Sequence, residues 1–319
     1  MTPPTPPADG ADDSPPAPDD SFAALSDPVR VETLRVLAEQ HRNTPDDPVL
    51  AFSTLRRRVG VDDSGRFLYH LKKLLGTFVA KTDDGYRLTE AGHAVTAAIV
   101  AGTYTRRETL APTDLDSVCP LCGEQAVGRY TDGSLRVTCR ADHPLFVWSL
   151  PPNAAAGSTV TDLVDLARLD LSHTVESMLA GSCPVCWSPT TTRLDGLDDS
   201  DTANTDTPLG FTATCDVCGV RVVGPAGFAL LGHPAVDAFY HRHGSSPREQ
   251  YLWELPFVQR DAAVELSARE GDDEKRDGAA RVRFSLELDD ETLDVFLDER
   301  AHVTSTVVRS EPTDTVGEN

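Results

Sequence analysis

The residues best suited to bind metal in this chain are its seven cysteines and one of its nine histidines. Six of the cysteines form CxxC pairs, and the seventh, Cys139, is separated from His143 by three residues. Two residues between thiols allow one tight turn to direct both sulfurs at a single ion, and a hairpin returns the other half of the site. The spacing predicts two sites of four soft ligands: Cys119, Cys122, Cys139 and His143 in the first, and Cys183, Cys186, Cys215 and Cys218 in the second.

Such sites favour two structural zinc ions as cofactors. Four protein ligands complete a tetrahedral shell, whereas a catalytic zinc keeps one position open for water. Disulfides are the alternative, but the odd cysteine count and the short span of a CxxC pair argue against them. A further alternative makes the Cys139 and His143 site labile, so that zinc loss or thiol oxidation acts as a switch. Glycine follows two of the pairs, where the turn can require positive φ, but Trp187 follows the third.

The composition indicates where the protein works. Its 319 residues predict two or three domains, and they carry a net charge of −22 with 25 arginines against four lysines. This resembles proteins of halophilic archaea, where molar salt shortens the Debye length to about 3 Å and screens self-repulsion. We find no signal peptide and no apolar run long enough to span a membrane, so we expect a cytoplasmic location and no membrane partner.

The sequence contains no phosphate loop, no nucleophile elbow and no His-Glu-x-x-His motif, so we expect that the protein is not an enzyme.

One segment departs from this acidity. Residues 53–81 contain seven cations and two anions, a net charge of +5 that leaves −27 for the rest of the chain. The cations are Arg56, Arg57, Arg58, Arg66, Lys72, Lys73 and Lys81. A basic segment in an acidic chain is expected of a surface that binds phosphates.

Local patterns predict helices and a hairpin around this segment. Asp27 and Pro28 begin a helix that runs to about Gln40. Ser53 is expected to cap a second helix that ends at Val59, and a third spans about 64–75. An Asp-Gly turn then joins two strands between 78 and 88, and a last helix covers about 89–101 with an apolar stripe suited to a second copy of the chain.

Three blocks of residues, 24–30, 69–74 and 85–92, resemble the winged helix-turn-helix domain of ArsR-type transcriptional regulators in its haloarchaeal form. The resemblance implies a homodimer that binds double-stranded DNA, with the third helix in the major groove and the hairpin as a wing. By position it implies groove contacts from Arg66, Tyr69, His70 and Lys73, and phosphate contacts from Lys81 and Arg87. Arg56, Arg57 and Arg58 lie on the helix that crosses the DNA backbone in this architecture. No cysteine precedes Cys119, so arsenic-type sensing beside that helix is not implied, and the effector is unknown.

The predicted fold class is α+β with several domains. The expected boundaries are a disordered, acidic, proline-rich tail at 1–21, a winged helix-turn-helix domain at 22–108, a first zinc ribbon at 117–150, a connecting helix at 158–181, a second zinc ribbon with a short helix at 182–250, antiparallel strands at 251–310 and a disordered tail at 311–319. The function expected is a DNA-binding transcriptional regulator. The alternative is a zinc-ribbon interaction scaffold of the transcription machinery whose winged helix makes protein contacts.

Overall fold

The computed structural model describes residues 17–197, 208–259, 262–266 and 281–310. The chain forms two compact units, Met1–Arg106 and Arg107–Asn319. Together they contain α-helices and four small antiparallel sheets, so the predicted α+β class is confirmed. The predicted tail at 311–319 and most of the tail at 1–21 lie outside the described residues.

The first unit is mainly helical. Its elements are α1 (Pro18–Ala23), α2 (Pro28–Asn43), α3 (Phe52–Val59), α4 (Ser64–Lys72), β1 (Val79–Lys81), β2 (Tyr86–Leu88) and α5 (Glu90–Ala101). The two strands form an antiparallel hairpin, and Leu50 adds a bridge on the other side of Tyr86 through two backbone hydrogen bonds of 3.0 Å. The unit is therefore ordered as two helices, bridge, two helices, hairpin and helix.

Side-chain caps set most of the helix starts in this unit. Asp27 accepts a hydrogen bond from the Val29 amide, and Asp63 accepts one from the Arg66 amide, as N-cap aspartates do. The predicted Ser53 cap is wrong, because α3 begins two residues earlier, at Phe52, with Ala51 as its uncapped N-cap. Two ends also differ from the prediction: α2 continues to Asn43 beyond its apolar stripe, and α4 stops at Lys72, where the chain turns toward β1.

The start of the domain also needs correction. The tail was expected to be disordered through residue 21, yet residues 18–21 belong to α1. Pro18 stands at the first helical position with Asp19 and Asp20 in the first turn, and both features favour a helix start. Leu25, just beyond this helix, packs against the core of the unit.

The core of the first unit fixes the orientation of α4. Phe67, Leu71 and Leu74 are fully buried, together with Leu34 and Leu55 from the preceding helices. Burying an apolar side chain of this size contributes about 1.5–3 kcal/mol. The opposite side of α4 therefore faces away from this core.

The second unit is built mainly from strands. Its elements are β3 (Thr109–Val118), β4 (Gln125–Thr131), β5 (Ser134–Cys139), β6 (Pro144–Ser149), α6 (Pro152–Ala155), α7 (Val160–Leu179), β7 (Thr191–Asp195), β8 (Gly210–Thr214), β9 (Arg221–Pro225), α8 (Pro234–Arg242), β10 (Ala263–Glu265), β11 (Val282–Leu288), β12 (Glu291–Leu297) and β13 (Val303–Ser310). Four short 3₁₀ helices lie at Ala226–Leu230, Pro247–Glu249, Leu252–Glu254 and Pro256–Val258.

These strands make three antiparallel meanders, β3-β4-β5-β6, β7-β8-β9 and β10-β11-β12-β13. A hairpin at the Asp132-Gly133 turn joins β4 to β5, and both residues have positive φ as a two-residue hairpin turn requires. Within the antiparallel strand region expected at 251–310, the longer strands are β11, β12 and β13. The short strand β10 was not predicted.

The role expected for α7 is wrong. The helix was predicted to connect two ribbon modules, but seven of its apolar side chains are buried in the hydrophobic core of the unit: those of Val160, Leu163, Val164, Ala167, Leu171, Val175 and Met178. That single core includes residues from all three sheets. A capping box between Thr159 and Asp162 starts the helix, as a Thr-x-x-Asp sequence allows. The proposed division at 150, 182 and 251 therefore cuts one packed body.

Candidate metal centres and nucleic-acid interface

The structure brings the first predicted ligand set together. The Sγ atoms of Cys122 and Cys139 lie 3.7 Å apart, and His143 Nδ1 lies 3.7 Å from Cys119 Sγ and 3.5 Å from Cys139 Sγ. All four ligand atoms fall within 4.8 Å of one another. Cys119 and Cys139 are buried, which keeps this side of the site away from water.

The second ligand set is equally compact. Cys183 Sγ lies 3.5 Å from Cys218 Sγ, and Cys186 Sγ lies 3.5 Å from Cys215 Sγ. A disulfide requires sulfurs about 2.05 Å apart, so these pairs are not bonded. Tetrahedral zinc with bonds of about 2.3 Å to sulfur and 2.0–2.1 Å to nitrogen separates two sulfurs by about 3.8 Å, and sulfur from nitrogen by about 3.6 Å. Both clusters therefore fit a tetrahedral ion of this size.

All three CxxC pairs share one backbone turn. In each turn the first cysteine amide donates to the carbonyl five residues later, and the residue four positions later donates back to that cysteine's carbonyl, at distances of 2.8–3.0 Å. The residue after the second cysteine has positive φ every time, 73° at Gly123, 79° at Gly219 and 61° at Trp187. Trp187 therefore adopts the left-handed conformation that glycine adopts in the other two turns. This conformation costs a residue with a side chain about 1–2 kcal/mol.

The thiols of the second cluster hold their protons unequally. Hydrogen bonds from the Ser188 side chain and amide lower the pKa of Cys186 to about 6. At Cys218 the Val220 amide also acts to lower the pKa, but contact with Cys186, burial and the other thiols raise it to about 12. Like charges so close cannot all ionise without a counter-ion, so four thiolates coexist here only around a cation.

These turns share a side-chain pattern that was not predicted from the sequence. Leu121, Val185 and Val217 each directly precede the second cysteine of a pair, and each is more than 60% exposed. Trp187 is 79% exposed beside them in the second centre. The repeated order of one aliphatic residue before the second cysteine was visible in the sequence, but only the structure shows that it points outward.

The face of α4 opposite the core carries Arg66 and Lys73, which were predicted to contact DNA, and also Lys72, which was not. Arg66, Lys72 and Lys73 are exposed, and Tyr69 between them is 59% exposed. Within the described ranges, the side chains of these three cations have no hydrogen-bond or ion-pair partner. On the hairpin, Lys81 and Arg87 are exposed as well, and the Arg87 guanidinium reaches the Leu88 carbonyl at 3.4 Å.

The arginine run on α3 divides into different roles. Arg56 donates hydrogen bonds to the carbonyls of Val61 and Asp62 and so supports the turn into α4. Arg58 lies 3.1 Å from Glu39 and donates to Gln40 on α2. Of the three, only Arg57 has a side chain with no partner in the part of the chain that the structure describes.

His70 does not belong to the exposed face, which corrects the prediction that it contacts the groove. Its side chain is 10% exposed, and its Nδ1 lies 3.4 Å from Oδ1 of Asp27, the N-cap of α2. The helical periodicity placed His70 at the flank of the exposed face, but the start of α2 covers it. The residue instead lies buried between α4 and the start of α2, where its Nδ1 makes no hydrogen bond among the described residues.

Within the described ranges, no helix combines the length and the apolar character needed to cross a membrane.

Comparison with protein families matches residues 18–99 to one domain of unknown function, DUF7347, and residues 116–303 to another, DUF7351. The second match includes all eight candidate metal ligands. Neither the curated proteins nor the solved structures gave a significant match. Because the longer match covers more than half of the 319 residues, the chain belongs to the DUF7351 family, which is defined by a domain of unknown function.

Proposed function

We propose that this protein is a transcriptional regulator that binds duplex DNA through α4, with α2–α5 acting as a winged helix-turn-helix domain. One observation carries the proposal: the exposed cations of α4 have no carboxylate partner among the described residues, although the chain has 51 acidic residues against 29 basic ones. In such an acidic chain, charges left unpaired on one helix face favour a polyanionic partner.

The order of elements supports a groove-binding role for α4. A helix-turn-helix protein places its second helix in the major groove while the first crosses the backbone. Here α3 and α4 are separated by four residues, 60–63, and the hairpin follows as a wing. Arg66, Tyr69 and Lys73 are the proposed base-edge contacts, because they project from the exposed side of α4.

Phosphate contacts are assigned to Arg57, Lys81 and Arg87, which are exposed in the same unit. Arg56 and Arg58 are removed from this role because their guanidinium groups already bind backbone carbonyls and Glu39. Lys72 takes their place among the candidate contacts, since it is exposed on α4. In molar salt the release of counterions contributes little, so hydrogen bonds to base edges must supply more of the affinity.

The ArsR-type assignment and the homodimer are part of this proposal. The last helix of the first unit supports a dimer contact, because Val100 is 48% exposed and Tyr104, just beyond the helix, is 81% exposed. A dimer would present two copies of α4 to half-sites about one helical turn of DNA apart. A halophilic archaeal source and a cytoplasmic location fit the acidic composition and the unpaired thiols.

Both cysteine clusters are proposed to hold structural zinc. Each offers four ligands in tetrahedral proximity, and neither reserves a position for water. Metal binding of this kind contributes about 10–16 kcal/mol to folding in small zinc modules. The ions would fix the three turns against the sheets, which is a structural task and involves no catalytic step.

A second candidate function is supported by the metal-centre turns. Val185, Trp187 and Val217 form an exposed apolar group around the second cluster, and Trp187 is kept there despite its strained φ. Strained backbone often occurs where a side chain has a functional task. This observation favours an interaction scaffold in which the second zinc centre contacts another protein of the transcription machinery.

Selection from a random duplex library in 2 M KCl tests the first function against the second. The wild-type protein is expected to enrich a defined sequence, and the Arg66→Ala/Lys73→Ala variant is expected to enrich none. Arg136→Ala, which removes an exposed arginine from β5, serves as the control and should select the same sequence as wild type. Failure of the wild-type protein to enrich any sequence would contradict the regulator and leave the scaffold favoured.

A further inference from the structure

A cavity of about 160 Å³ lies beside α7 in the second unit. Arg168 and Ser172 line it from the helix, and Arg248 lines it from the 3₁₀ segment Pro247–Glu249. Leu231, Leu255 and Phe257 contribute apolar walls. Glu176 and Asp237 also line the cavity, so charged side chains of both signs and buried apolar residues of the core bound it.

Arg168 is the unusual residue of this cavity. Its side chain is half-buried and has no hydrogen-bond or ion-pair partner among the described residues. Burial lowers the pKa of the Arg168 guanidinium, Asp165 acts in the opposite direction, and the nearby charge of Arg248 lowers it further. Because a guanidinium stays charged in proteins, Arg168 holds a poorly solvated positive charge, with Asp165 nearby but no direct ion pair in the described residues.

Neither of the two carboxylates that line the cavity forms an ion pair with Arg168 in the described part of the chain. Asp237 is committed to Arg248 through an ion pair of 2.7 Å. Glu176 also lines the cavity but is exposed, and its backbone lies about 12 Å from that of Arg168 along the helix, at 1.5 Å per residue. The Ser172 hydroxyl donates to the Arg168 carbonyl and does not reach a carboxylate.

The size and the walls of the cavity limit what can enter it. A dry protein cavity of about 150 Å³ is known to accept benzene. A ligand of that size has one compact apolar group, which Leu255 and Phe257 can contact, and one anionic group, which the planar Arg168 fork can bind through two parallel hydrogen bonds.

We infer that this cavity binds a small monocarboxylate with a compact apolar body. The carboxylate pairs with Arg168, and the apolar body lies against Leu255 and Phe257. The bound carboxylate then stabilises the guanidinium charge in place of the water that burial removes. The inference goes beyond the proposed function and does not depend on it, because the whole cavity lies in the second unit and its ligand is measured without DNA.

Calorimetric titration of the full-length, zinc-loaded protein at constant ionic strength tests the inference. The probes are benzoate, its neutral isostere benzamide, acetate and inorganic phosphate. Benzoate should bind at least about ten times more tightly than the other three, because only benzoate offers both the charge and the apolar body. Equal binding of benzamide, acetate or phosphate, or no binding of benzoate, would overturn the inference.

Matched variants locate the site. Arg168→Gln should weaken benzoate binding by at least about tenfold, since a hydrogen-bonded charge pair is lost. Arg136→Gln, an equivalent change on the exposed face of β5, should leave it unchanged. Benzoate should also raise the melting temperature of the wild type and of the control, but not of Arg168→Gln, whose own melting curve verifies folding. Tight benzoate binding by a folded Arg168→Gln variant would show that the ligand lies elsewhere and would refute the assignment.

Discussion

The roles of some residues could be predicted from the sequence, whereas the roles of others became clear only from the fold. The eight candidate metal ligands follow from spacing alone, because two residues between cysteines define the turn. His70 could not be assigned in this way. Its position on the helical wheel is intermediate, and only the start of α2, which places Asp27 3.4 Å from its ring, decides that it is internal.

Adjacent residues of α4 should therefore respond differently to substitution. Tyr69→Ala removes an exposed ring and should weaken binding to the selected duplex about tenfold, with a change of less than about 0.5 kcal/mol in the free energy of unfolding. His70→Ala removes a buried side chain and should cost about 1–3 kcal/mol of stability with little change in DNA affinity while folded. Chemical denaturation and fluorescence anisotropy measure the two quantities. The reverse pattern would place His70 on the binding surface.

Trp187 gives a second prediction at this scale. Trp187→Gly should raise the free energy of unfolding by about 0.5 kcal/mol, because relief of positive φ outweighs the greater flexibility of glycine in the unfolded chain. Gly219→Ala is the matched control. No heavy atom lies within 4 Å of its added Cβ, so strain alone should cost about 1 kcal/mol. A loss above about 1 kcal/mol for Trp187→Gly would mean that the ring packs against the protein.

At the scale of elements, hairpins were easier to predict than helix partners. The Asp132-Gly133 turn indicated β4 and β5, whereas the largely exposed strand β3, with its acidic Asp114 and Asp116, lacks the apolar alternation that identifies a strand. The length of α7 was visible in its pattern, with Leu163 and Val175 among its apolar positions. Its role as the core helix was not, because the strands that cover it come from distant parts of the chain.

Metal removal should affect one unit and spare the other. All eight ligands lie in the second unit, so chelation of both ions should speed hydrogen exchange across β3–β9 and α7. The helices α2–α5 have a separate core without cysteine and should keep their protection. Native mass spectrometry should count two zinc ions in the wild type and one in Cys183→Ser/Cys186→Ser. Retention of two ions by that variant would contradict the second centre.

Charge dominates the behaviour expected of the whole molecule. A net charge of −22 repels itself at low ionic strength, and the Debye length falls from about 10 Å at 0.1 M salt to about 3 Å at 1 M. The melting temperature should therefore rise steadily between 0.1 and 2 M KCl. Differential scanning calorimetry measures this directly. A melting temperature that is unchanged or highest at low salt would remove the argument for a saline cytoplasm.

In the proposed complex, the acidic remainder of the molecule would also restrict how DNA is approached. A duplex is repelled by most of this surface and attracted by the basic face of α4 and the hairpin. Composition revealed the basic segment, but the pairing of Arg58 with Glu39 shows that only some of its charges remain available. The central claim is that the remaining unpaired cations of α4 hold the duplex.

The most direct test compares affinities for the selected duplex in 2 M KCl. Removing two base-edge contacts at about 1–3 kcal/mol each predicts that Arg66→Ala/Lys73→Ala binds at least about 30 times more weakly than wild type. Arg129→Ala/Arg136→Ala, which removes two exposed arginines from the second unit, should bind as wild type does. An affinity of Arg66→Ala/Lys73→Ala within about twofold of wild type would contradict the account.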